Sequence, residues 1–180
     1  IEYHGQISFM KAGLKYADAI TTVSPTYARE ITGQEQGCGL DGVLRKRHNV
    51  LHGILNGVDD AVWNPVTDAQ VQPGYDAEQL DGKALAKARL QKEMKLQPLK
   101  SALLFCVVSR LTEQKGLHLL PEVVHDLVQR GGQLVVLGTG DPGIVTALQA
   151  SAAAHPGQVA LHIGYDEGLS HRVIAGSDVI

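Results

Sequence analysis

The chain has 180 residues, with 16 Lys and Arg against 19 Asp and Glu, a net charge of -3 with histidine neutral, and 20 glycines. That balance carries no basic footprint of the kind a duplex demands, and aromatics at 4% leave few stacking faces for a single-stranded nucleic acid. No apolar run is long enough to cross a bilayer as a helix, and 44% hydrophobic residues suit an α/β protein with one full core or parts of two.

In chain order, the sequence predicts a helix over 7–16, a short strand over 19–23 and a helix over 25–31. Ser24-Pro25 supplies the start of that second helix, a capping hydroxyl followed by Pro at the first helical position. Residues 33–42 are Gly-rich and read as a loop without structure of its own. A strand over 49–55 ends in Asn56-Gly57, a turn signal. Residues 64–82 hold Pro65 and Pro73 and no sustained period, so they read as an irregular excursion. The Lys, Ala, Arg and Leu of 82–95 favour helix.

From Leu103 onward the pattern is regular: strand 103–108, helix 117–130, strand 133–137, helix 142–154, strand 159–163, helix 167–175 and a strand from 178. Strands alternating with helices imply a doubly wound parallel sheet. Leu117, Leu120, Val124, Leu127 and Val128 give the helix over 117–130 one apolar face. Pro121 falls in its first turns, where a missing N–H costs little, and Arg130-Gly131-Gly132 ends it.

The loop Ser109-Arg110-Leu111-Thr112-Glu113-Gln114-Lys115-Gly116 puts two cations five residues apart directly after a buried strand. In open parallel sheets, ligands sit outside the carboxyl ends of the strands, where the next helix begins with unpaired N–H groups. Arg110 can grip a phosphate with two parallel hydrogen bonds, and Lys115 offers a mobile point charge. The loop thus suits a pyrophosphate; the alternative is a pair of solvated surface cations.

Gly138-Thr139-Gly140-Asp141-Pro142-Gly143 matches the dinucleotide pattern G-x-G-x-x-G, follows a strand and opens a helix, which makes an NAD-dependent oxidoreductase domain the rival from a different class. Its chemistry fits that rival poorly. Asp141 sets a carboxylate where the pyrophosphate would lie, Pro142 removes a donor, and the two together make a good helix start. The glycines could still let a ligand approach the backbone. Cys38 and Cys106 fit no disulfide framework, and His48 and His52 have no carboxylate at zinc spacing, so no metal or other cofactor is expected.

Several ordered motifs together resemble the bacterial glycogen and starch synthases: Tyr3-His4-Gly5-Gln6, Lys11-Ala12-Gly13-Leu14, Thr21-Thr22-Val23-Ser24-Pro25 after Ala17-Asp18, and Gly39-Leu40-Asp41-Gly42-Val43-Leu44. The same order continues through Gly53-Ile54-Leu55-Asn56-Gly57-Val58-Asp59, Trp63-Asn64-Pro65, the loop over 109–116, residues 137–141 and Ile163-Gly164-Tyr165-Asp166-Glu167. The resemblance implies an α/β fold of GT-B type, Rossmann-like with a doubly wound parallel sheet and incomplete at both ends. Residues 1–53 would close an acceptor-side domain, and 54–180 would begin the nucleotide-sugar domain.

What the resemblance implies for function is a cytoplasmic bacterial glycosyltransferase. It would pass glucose from ADP-glucose to the non-reducing end of an α-1,4-glucan with retention, without metal, membrane or nucleic acid; another retaining GT-B transferase is the near alternative. Arg110 and Lys115 would stabilise charge growing on the leaving diphosphate. Asn56, Arg110, Lys115, Gly138 and Tyr165 would hold the nucleotide sugar, with the base against the Tyr165 ring. On local sequence alone, Asn56 reads equally as a plain Asn-Gly turn, while Tyr165 reads first as a packed loop tyrosine. His4, His162, His171 and Glu167 read as structural, each without a recognisable partner. The family's Lys-Thr-Gly-Gly-Leu donor loop and its downstream pair of glutamates find no match, so this stretch alone is expected to be inactive.

Overall fold

The computed structural model describes residues 1–180, and the chain resolves into two units, Ile1–Val58 and Asp59–Ile180. In the first unit, Glu2–Tyr3 (β1) and Gln6–Ile7 (β2) form an antiparallel pair that periodicity does not announce. The helix expected from residue 7 begins at Phe9 (α1, Phe9–Tyr16) because the Ser8 hydroxyl accepts the Lys11 N–H at 3.1 Å. Ile20–Val23 (β3) and Leu51–Ile54 (β4) pair in parallel, Ile20 opposite Leu51. Between them, Pro25–Glu30 (α2) starts where the sequence places it, with the Ser24 hydroxyl accepting the Tyr27 N–H at 3.0 Å.

Two expectations fail in this unit. The Gly-rich stretch gives way at Asp41 to a short helix, Asp41–Lys46 (α3). Asp41 in its first turn and Arg45 and Lys46 in its last suit the helix dipole, and Leu44 anchors it in a core with Ile20, Ile31 and Leu40. Nor does Asn56-Gly57 form a turn: residues 55–59 carry no regular structure or bend.

In the second unit, Leu104–Val108 (β5), Gln133–Gly138 (β6) and Val159–Ile163 (β7) form a parallel sheet in the order β5-β6-β7. Val179 then bridges to Phe105 on the free edge of β5, so the chain reverses direction across the sheet after β7. The strands read as nearly continuous apolar runs, with Gln133 opening β6 and His162 within β7, because both faces are covered. Leu104, Cys106, Val135 and Leu137 meet Leu90 of Asp81–Glu93 (α4) and Leu169 and Val173 of Glu167–Gly176 (α7). The alternate residues Phe105, Val107, Leu134 and Val136 meet Val124 and Val128 of Leu120–Gln129 (α5) and Ile144 and Leu148 of Pro142–Ala154 (α6). Period-two alternation thus feeds two cores. Complete burial of each such Leu or Val contributes about 1.5–3 kcal/mol. The helix expected over 117–130 starts only at Leu120, after a 3-10 turn at Glu113–Lys115.

The excursion before α4 has no strand, and side-chain carboxylates and amides set its course. Asp59, Asn64, Asp68 and Asp76 each accept backbone N–H groups two or three residues ahead. Tyr75 and Lys83 fasten it and α4 to the end of α7, both donating to the Ala175 carbonyl, at 3.0 and 2.7 Å.

Candidate functional site

The chain leaves β5 through Ser109 and Arg110 and stays laddered to the segment leaving β6. Ser109 N–H donates to the Leu137 carbonyl at 3.1 Å, Leu111 N–H to Thr139 at 2.9 Å, and Asp141 N–H to Leu111 at 2.8 Å. Leu111 is fully buried among the side chains of α5 and α6, which leaves Arg110, its neighbour on the opposite face, exposed. The two loops lie so close that a Cβ on Gly138 would stand 1.9 Å from the Ser109 carbonyl oxygen, and one on Gly140 2.2 Å from that of Leu111. These glycines admit the neighbouring loop's backbone.

A cavity of about 350 Å³ opens at this carboxyl edge of the sheet, lined among others by Trp63, Arg110, Gly138, Tyr165, Glu167 and Ser170. Its size lies at the lower end of the range for small-molecule sites. Three of the residues singled out by sequence, Arg110, Gly138 and Tyr165, meet there. Lys115 stands exposed on the 3-10 turn of the same loop and does not line the cavity. Asn56 is exposed in the first unit. Neither Arg110 nor Lys115 enters an ion pair, and no hydrogen bond occupies either side chain. A larger cavity of about 590 Å³ lies elsewhere on this unit, but Asp76, Glu78 and Asp81 on its wall would repel a phosphate.

Tyr165, 85% exposed, donates its hydroxyl to Glu167 Oε2 at 3.2 Å, and that carboxylate pushes the phenol above its ordinary value. Glu167 therefore has a partner that the sequence does not reveal. So does His171: its Nδ1 lies 2.5 Å from Asp68 Oδ2, and its ring stacks on Trp63 at 3.8 Å and 9°. The Asp68 carboxyl ends below its ordinary value. Burial pushes it up, and hydrogen bonds from the Gln70 N–H and His171, with the imidazolium charge, outweigh that. His4 keeps a structural contact, its ring edge-on to Tyr3 at 4.2 Å.

The G-x-G-x-x-G segment has no room for a pyrophosphate at its helix start. Asp141 Oδ1 accepts the N–H groups of Gly143 and Ile144 at 2.8 and 3.2 Å, and Pro142 has none to give, so the donors that would face an anion are taken. No cluster of three or more His, Cys, Asp or Glu is placed to hold a metal ion. Cys38 and Cys106 are both free thiols, and burial pushes the Cys106 thiol up, away from a nucleophilic role. No helix is long and apolar enough to cross a membrane.

Against this geometry, residues 1–46 match the family model of the starch synthase catalytic domain. The chain is 62% identical to a glycogen synthase of Albidiferax ferrireducens over 99% of its own length and 36% of that protein. It is 54% identical to one of Francisella tularensis subsp. novicida, over 100% of the chain and 37% of the relative. The chain thus spans about a third of the length of the curated relatives it matches. Among solved structures, the catalytic domain of starch synthase IV from Arabidopsis thaliana, bound to ADP and acarbose, superposes with a TM-score of 0.88 at 35% identity, covering 94% of this chain and 35% of that one. A sequence match along the whole chain and a shared fold agree, and the chain belongs to the glycogen and starch synthase family, with its GT-B type α/β fold.

Proposed function

We propose that the cavity at the carboxyl edge of β5, β6 and β7 binds the nucleoside diphosphate of a glucosyl donor, and that Arg110 and Lys115 hold its phosphates. One observation carries the reading: Arg110, free of any partner, opens onto the same cavity as the exposed ring of Tyr165. A phosphate binder and a stacking face therefore stand where open parallel sheets take their ligands. The starch synthase structure with bound ADP supports the choice of nucleotide.

In the whole protein, this site would serve transfer of glucose from ADP-glucose to the 4-hydroxyl at the non-reducing end of an α-1,4-glucan, with retention. The bond from glucosyl C1 to the diphosphate oxygen breaks and its electron pair stays on the diphosphate; the acceptor oxygen forms the new bond to C1 and its proton passes to the departing diphosphate. Preorganised cations at the leaving oxygens stabilise that transition state more than the ground state. Tyr165 stacks the base, Gly138 lines the cavity, and Asn56 hydrogen-bonds the donor sugar or phosphate. Residues 1–53 belong to the acceptor-side domain and 54–180 to the nucleotide-sugar domain of a cytoplasmic enzyme.

Calorimetric titration of the full-length protein with ADP, UDP and NAD tests the reading. Tight ADP binding, weakened by both Arg110→Ala and Lys115→Ala, is expected. NAD binding indifferent to the two substitutions would overturn it.

A further inference from the structure

Trp63 is the sole tryptophan of the chain, and the residue is 40% exposed on a segment that no strand or helix fixes. Its indole nevertheless has a defined seat. One face lies parallel to the His171 ring at 3.8 Å, and His171, 7% exposed, is fixed in turn by Asp68 Oδ2 at 2.5 Å from Nδ1. The other carboxylate oxygen, Asp68 Oδ1, accepts the Gln70 N–H at 2.8 Å, so the carboxylate cannot rotate freely. The result is a rigid sequence of contacts from backbone to Asp68 to His171 to Trp63, ending at the wall of the cavity that holds Arg110 and Tyr165.

Fastening the excursion to α7 does not explain this arrangement. Tyr75 and Lys83 already tie that region to the Ala175 carbonyl, and Trp63 keeps part of its surface open on the cavity that Arg110 and Tyr165 also line. We propose that Trp63 contacts the nucleoside diphosphate in this cavity and that Asp68 and His171 form a positioning pair that holds its ring in place. The proposal rests on the cavity being the donor site. It adds a second aromatic surface to Tyr165, supplied by a segment of irregular structure.

Fluorine NMR of the full-length protein labelled with fluorotryptophan, titrated with ADP, reads the contact. The Trp63 resonance is identified by its loss in Trp63→Phe. ADP is expected to shift that resonance, and His171→Ala is expected to broaden it and weaken ADP binding about fivefold, the scale of one aromatic contact. The double variant Asp68→Asn with His171→Phe keeps a flat ring beneath Trp63 without a buried unpaired charge, and is expected to restore most of the affinity. Arg110→Ala serves as the control for the site itself. If ADP binds in an Arg110-dependent manner while the Trp63 resonance stays still and His171→Ala binds normally, the positioning role is overturned and the donor site stands. If ADP binding ignores Arg110, or is absent, both fall.

Discussion

Two loops leave neighbouring strands of the same sheet at the same edge, and both contain glycine and charged residues. The loop after β5 presents Arg110 and Lys115 with no carboxylate bound to either. The loop after β6 carries its own anion: the Asp141 carboxylate occupies the first free N–H groups of α6. One loop leaves its cations unpaired, and the other already fills its helix N-terminus with a side-chain carboxylate. A glycine pattern after a strand therefore says little until the occupants of the helix N-terminus are known. Which charge the loop lacks is more telling than which residues it contains.

The largest effect should come from the open loop. On the proposed function, Arg110→Ala in the full-length protein is expected to lower glucosyl transfer by about 10²–10³, the range seen when one preorganised charge-stabilising donor is removed. Lys115→Ala, outside the cavity wall, should cost less. Steady-state kinetics with ADP-glucose and a soluble glucan would show both, and equal losses would put Lys115 as close to the phosphates as Arg110. Gly138→Ala tests the contact between the two loops. Its new methyl would fall 1.9 Å from the backbone oxygen of Ser109, which no rotamer change relieves. A loss of about 1–3 kcal/mol in urea unfolding is expected, with weaker ADP binding because Arg110 follows Ser109. Full stability in this variant would mean that the loops separate easily.

The closed loop gives a smaller and more selective change. Asp141→Ala should cost about 1 kcal/mol, as for other lost N-caps, and leave ADP affinity unchanged. A gain in NAD binding on removing this carboxylate would instead make the second loop a masked dinucleotide site.

The sequence showed this edge of the sheet clearly, and for a physical reason. Strands covered on both faces must be largely apolar, so β5, β6 and β7 announce themselves, and the residues that follow them fall at the edge where open parallel sheets take ligands. Arg110 stands out in that way, whereas Tyr165 stands out through the family resemblance, its local sequence reading as a packed loop tyrosine. Trp63 could not be found in that way, because its place depends on Asp68 and His171, and the second of these lies 103 residues from the first. Local patterns carry no trace of such a contact. The short helix Asp41–Lys46 was hidden by the glycines before it, since its stability comes from burying Leu44. Asn56-Gly57 misled in the opposite direction: the dipeptide permits a turn, but the chain there passes from one compact unit to the next.

The contrast between free and occupied charges extends to pH. Asp68, like Asp141, is a carboxylate already satisfied within the fold, and its folded value lies below the ordinary 3.8. Between the two values the unfolded chain binds more protons than the folded one, so stability rises with pH across that window. The contribution of Asp68 is fully present above about pH 4–5 and is lost as the pH falls through the folded value. Urea midpoints measured from pH 7 downward should therefore decline in the acid range, and the decline should be shallower in Asp68→Asn. Arg110→Ala should leave the slope unchanged, because that guanidinium has no partner in the fold to lose. An identical acid slope in the wild type and Asp68→Asn would mean that the pair with His171 adds nothing to stability, and that its cost in desolvation cancels its attraction.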